Sequence, residues 1–127
     1  MRSRSSFATE TLASLVRIPS VTGGAGHSEQ QQMFETVLSL LSAHAPVQVL
    51  GRGDGEHPFV WISVGPKTAA TKRVLFCCHV DAVPVGDRSH RTHDPWGAEI
   101  DESGHLFGRG VCDMKGGLTA ALAAAIE

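Results

Sequence analysis

The chain has little of what several functional classes require. Its cysteines number three, Cys77, Cys78 and Cys112, and two of them are adjacent. An odd count with adjacent members draws no disulfide framework, and cysteine in an apolar run acts as a small hydrophobe. A reducing, cytoplasmic setting is therefore expected. No apolar stretch approaches the roughly 20 residues of a membrane-spanning helix. The first residues, MRSRSSFATETLASL, carry positive charge but no long apolar core, so no signal peptide is expected. Lys and Arg form no stripe, the formal net charge is -2, and aromatics make up 6%. Neither nucleic acid nor an anionic membrane is an expected partner.

What is present is the material of one small globular domain: 127 residues, 42% hydrophobic and 19% charged. Residues 5–17 read as a helix with Phe7, Leu12, Leu15 and Val16 on one face, capped by Ser5 or Ser6 and ended by Pro19. IPSVTGGAG reads as a loop. A second helix starts at Ser28, with Gln31 as capping-box partner. Met33, Phe34, Val37, Leu40, Leu41 and His44 lie along its apolar face, and it ends near Pro46. VQVL (47–50) and FVWISV (59–64) are strand candidates around a turn-rich GRGDGEHP. RVLFCCHV (73–80) is almost wholly apolar, as a central strand covered on both faces would be. AEI and HLF flank the turn DESG as a short hairpin. A glycine-rich loop, GRGVCDMKGG (108–117), precedes an alanine-rich helix, LTAALAAAIE. The order predicts an α/β fold, a mixed sheet flanked by helices. The last helix carries no stop signal, so the sequence is expected to be truncated.

Two carboxylates stand out. In an extended chain His79 and Asp81 leave the strand on the same face. This suits a metal-bound imidazole whose other nitrogen is held by a carboxylate. The dipeptide pattern by itself favours the plainer reading of a polar strand end. Asp113 fits the first turn of a helix, but Gly108, Gly110, Gly116 and Gly117 around it exceed what a cap needs. His90 and His93 form H-x-x-H in a polar loop and read as solvated residues. His27, His44, His57 and His105 read as cap, surface or turn residues. Cys112 could supply a thiolate, though no second cysteine stands at zinc-finger spacing. Lys115 is followed by Gly116, which breaks the phosphate-loop pattern. Trp61 and Trp96 read as packing residues.

VLFCCHVDAVPVGD, DPWGAEI and HLFGRGVCDMKGG, in that order, closely resemble the M20 family of metallopeptidases and amidohydrolases. That family includes acetylornithine deacetylase, succinyl-diaminopimelate desuccinylase and carboxypeptidase G. The motif resemblance covers about residues 73–126, and LVRIPSVTG resembles the family's start. It implies that residues 1–127 are the N-terminal portion of a catalytic domain with a zinc-exopeptidase-like mixed sheet. The inserted lid or dimerisation domain and the C-terminal catalytic portion would be absent. It implies that His79 and Asp113 hold metal, Asp113 bridging two Zn2+ or Co2+ ions, and that Asp81 belongs to the catalytic set by orienting the imidazole. A cis Asp113–Met114 peptide is implied as well. Cys78 departs from the family's usual glycine, and its side chain should point away from that of His79. The implied reaction is hydrolysis of an amide or peptide bond in a small substrate by a complete protein, which could be a homodimer. The family's Glu-Glu pair, its further acidic ligand and its late histidine are not among these residues, so the chain by itself is expected to be inactive, with open sheet edges. A non-catalytic binding or regulatory module and a single-metal hydrolase are the alternatives.

Overall fold

The computed structural model describes residues 4–23, 27–55, 57–66 and 72–127. Three helices and two antiparallel hairpins follow in the order α1 (Arg4–Val16), α2 (His27–Ser42), β1 (Val47–Gly53), β2 (Phe59–Val64), β3 (Glu99–Ile100), β4 (Leu106–Phe107) and α3 (Gly116–Ala125). This is a small mixed α/β arrangement. The principal core joins Leu15 and Ile18 from the end of α1, Met33, Val37 and Leu41 of α2, and Leu118 and Leu122 of α3. Their spacing within each helix is the i, i+3/i+4 repeat that makes one apolar stripe. Val47, Ile62 and Val64 of the β1–β2 hairpin lie against it, together with Cys78 and Val80. A second cluster places Ala13 and Val16 of α1 against Ala98 at the base of the β3–β4 hairpin. α1 thus presents one side to each cluster.

Several expectations are corrected in detail. Ser28 lies inside α2, not at its cap, and its hydroxyl donates to Glu29 at 2.7 Å. Gln31 is drawn off by Arg52, whose Nη2 donates to its Oε1 at 2.9 Å, so no capping box forms. The proposed Ser5 cap lies outside the described side chains. His44 falls beyond α2 and meets Phe7 edge-on. Trp61 is 57% exposed, because it occupies the outward face of β2, opposite the face that Ile62 and Val64 press on the core.

The larger correction concerns residues 73–80. They run without a ladder partner among the described residues. Val74 is 79% and Leu75 77% exposed, so this is not a strand covered on both faces. Only its far end is secured. Ser20 Oγ donates to Val80 O at 2.7 Å, Ala82 N donates to Ser20 O at 2.8 Å, and Thr22 N donates to Ala82 O at 2.9 Å. The loop after α1 therefore runs parallel to residues 80–82, with a bridge between Val21 and Ala82. Pro19 breaks the helix and frees this segment to extend.

α1 has no basic residue in its last turn. That role falls to Lys115, whose side chain is fully buried. Its Nζ donates to Leu15 O at 2.9 Å and Ile18 O at 2.7 Å, and lies 5.4 Å from the Trp96 ring centroid. Burying an ammonium costs several kcal/mol. Each hydrogen bond from a charged donor returns about 1.5–3 kcal/mol, so the arrangement holds only with both carbonyls in place. Burial pushes the ammonium down to about 8. The negative end of α1 and the face of Trp96 act in the opposite direction. The Lys115 stem passes Gly110, which has φ of +80° and where a Cβ would crowd Ala82 and touch the Lys115 stem.

Backbone amides of residues 74–78 should exchange with solvent at least about tenfold faster than the paired amides of β1 and β2. Hydrogen exchange read by NMR checks this. Equal protection in both segments would show that residues 74–78 are covered in solution.

Candidate metal centre

The secured end of residues 73–80 delivers His79 and Asp81 on the same side, as extended backbone requires. His79 Nδ1 lies 3.1 Å from Asp81 Oδ1 and 3.1 Å from the Asp81 carbonyl oxygen. The other oxygen of Asp81, Oδ2, accepts from the Thr22 hydroxyl at 2.5 Å. Thr22 reaches Asp81 because residues 20–22 lie along residues 80–82. The second imidazole nitrogen, Nε2, lies 2.9 Å from Asp113 Oδ1. One ring is thus bracketed by two carboxylates.

Asp113 sits in the turn Val111–Lys115, which leaves helical geometry at Asp113 (φ -131°, ψ 98°) and Met114 (φ -132°, ψ 31°). The Asp113–Met114 peptide is cis, as the family resemblance implied. The turn enters through Gly110, and α3 begins at Gly116, where a Cβ would come within 2.6 Å of Val111 O. The Asp113 side chain is 88% exposed. Its neighbours hold the turn. Met114 Sδ accepts from the His79 backbone N–H at 3.4 Å, and Lys115 is buried beneath α1.

The charges follow from these contacts. The hydrogen bond to Asp113 is the main reason the His79 imidazole is raised above its ordinary range, against the opposing effect of burial. The Thr22 hydroxyl is the main reason Asp81 lies below its ordinary range. Asp81 is therefore an ionised acceptor for Nδ1–H. When Nε2 loses its proton, its lone pair and an Asp113 oxygen face each other at 2.9 Å. Two such donors repel unless a proton or a cation is shared between them. An imidazole with a carboxylate behind it and a second carboxylate in front is a donor set that suits Zn2+. Among the described residues no group of three or more His, Cys, Asp or Glu is arranged to hold a metal ion.

His79, Asp81, Gly110, Cys112 and Asp113 line a cavity of about 350 Å³. Cys112 is exposed, while Cys78 turns into the core, away from His79 as expected. Burial pushes the Cys78 thiol up. His90 and His93 border a different cavity of about 280 Å³. His93 Nδ1 lies 2.9 Å from Glu99 Oε2 and its ring stacks on Phe107 at 3.9 Å, so it braces the β3–β4 hairpin. His105 pairs with Asp101 across the turn at 3.1 Å. Sequence reasoning missed Thr22, Met114 and Lys115 as parts of this site. Thr22 is 59 residues from Asp81 along the chain, and no local spacing signals the contact.

Residues 75–127 match the family described as Peptidase family M20/M25/M40. Over 115 residues, 91% of the chain, the sequence is 40% identical to succinyl-diaminopimelate desuccinylase 1 of Ruegeria sp. (strain TM1040). The chain covers 28% of that protein's length.

The raised His79 carries a sign for pH. Its proton is favoured by the fold, so the stability it contributes is present below the ordinary imidazole pKa and lost as pH rises through the raised value. The effect is small, since His79 is 46% exposed. NMR titration of the ring should place its midpoint above that of an exposed histidine, and Asp113→Asn should lower it. An unchanged midpoint in Asp113→Asn would show that the two groups do not meet in solution.

Proposed function

We propose that this chain, which belongs through residues 75–127 to the M20/M25/M40 peptidase family, supplies part of the metal centre of a hydrolase that cleaves an amide bond. The family generally binds metal ions. The observation that carries the reading is one imidazole between two carboxylates, Asp81 on Nδ1 and Asp113 at Nε2.

His79 Nε2 and an Asp113 oxygen would hold the cation. Asp81, kept ionised by Thr22, fixes the tautomer that leaves Nε2 free as a ligand. The bound cations, two in the complete site, would polarise a carbonyl and lower the pKa of a water. The cavity beside the pair opens to solvent, so a small substrate can reach it. The resemblance to a desuccinylase favours an N-acyl amino acid, with an acidic acyl group, over a peptide. Residues 1–127 are read as the N-terminal portion of the catalytic domain. An inserted lid domain and a later catalytic portion would complete it. Among the described residues no helix is long and apolar enough to cross a membrane.

Calorimetric titration of the 127-residue chain with Zn2+ tests the donors. Binding should weaken at least about tenfold in His79→Ala and in Asp113→Asn. Equal affinity in all three proteins would remove these residues from the site. With two donors, the chain alone should not hydrolyse N-succinyl-diaminopimelate. Turnover that persists in His79→Ala would place the chemistry elsewhere.

A further inference from the structure

We propose that Lys115 is a positioning residue for the Asp113 carboxylate. Its buried ammonium, clamped on the carbonyls of Leu15 and Ile18, sets the turn that brings Asp113 to His79. This rests on the reading of His79 and Asp113 as the metal donors.

Asp113 does little to position itself. Its side chain is 88% exposed, and among the described residues its side-chain hydrogen bond is the one to Nε2 of His79. A side chain so open to solvent gets little aim from packing. The aim comes from the two residues that follow. Met114 Sδ accepts the His79 N–H, and that thioether contact is soft and weak. Lys115 is the firm anchor, with a fully buried side chain, two carbonyl acceptors 2.7–2.9 Å away and the face of Trp96 beside it. Lys115 N also donates to Gly110 O at 2.8 Å, which closes the turn containing Asp113. The entry glycine has positive φ and lies beside the Lys115 stem, so the start of the turn is shaped around the same side chain. The carbonyls belong to residues 97 and 100 positions earlier. Lys115 thus references the carboxylate to the end of α1. His79 is referenced to the same end of α1, through Ser20 and Thr22 on residues 80–82. Both donors are therefore measured from one point in the fold, and loss of the ammonium frees one of them.

The test compares ring-nitrogen NMR shifts of His79, at fixed pH and without metal, in the wild-type chain, Asp113→Asn, Lys115→Met and Leu122→Ala. Leu122→Ala lowers stability through the same core without touching the turn. Lys115→Met should shift the His79 signals to those of Asp113→Asn, and Leu122→Ala should leave them as in wild type. Wild-type signals in a folded Lys115→Met would overturn the proposal. Should Lys115→Met not fold, Lys115→Gln keeps two N–H donors on a shorter stem. It should displace the signals part of the way, and wild-type signals in that variant would equally overturn it. Zn2+ should bind Lys115→Met at least about tenfold more weakly than Leu122→Ala, and equal affinity in the two counts against the clamp. If the wild-type chain binds no Zn2+, the metal reading fails by itself, and the metal-free ring signals still decide the clamp.

Discussion

A buried ammonium at the end of α1 joins the two halves of this chain. A helix of 13 residues ends with carbonyls that have no intrahelical partners, and α1 offers no basic side chain of its own to meet them. Lys115 meets two carbonyls at that end from the start of α3. The charge cannot be hydrated where it sits, so it must keep both carbonyls, and the geometry of the turn before α3 follows from that requirement. An apolar residue of the same length could fill the space, but it would impose no such direction.

The centre is built by three segments that reach the same corner for different reasons. Residues 20–22 extend because Pro19 ends the helix, and they form a parallel bridge with residues 80–82. Residues 79–81 present an imidazole and a carboxylate together because side chains alternate along extended backbone. Residues 110–116 bend because Gly110 takes positive φ and Gly116 lets the chain pass close to Val111 O. The imidazole is the shared element. Asp81 and Thr22 fix one of its nitrogens, and Asp113 meets the other.

Residues 74–76 pose the opposite situation. They are apolar and open, with backbone groups that no ladder among the described residues takes up. The even-numbered side of the same run, at Cys78 and Val80, lies on the principal core. The outward aromatics Phe59 and Trp61 are exposed too. The desuccinylase to which the chain is similar has more than three times its length.

The sequence by itself determined the local features. The two amphipathic helices, the β2 strand, the DESG hairpin and the existence of α3 follow from periodicity and turn chemistry, although α3 starts two residues before the expected Leu118. The same-face placement of His79 and Asp81 follows from a two-residue spacing. Those features depend on interactions within a few residues, so the linear order carries them. The convergence of Asp113 on His79 came only from family resemblance, since 34 residues separate them. Tertiary structure decided what no spacing encodes: that Thr22 would hold Asp81, that Gln31 would turn to Arg52, and that Lys115 would close the end of a helix about a hundred residues earlier. Each of these is a polar group satisfied by a distant partner. Which partner is in reach depends on how the apolar faces pack.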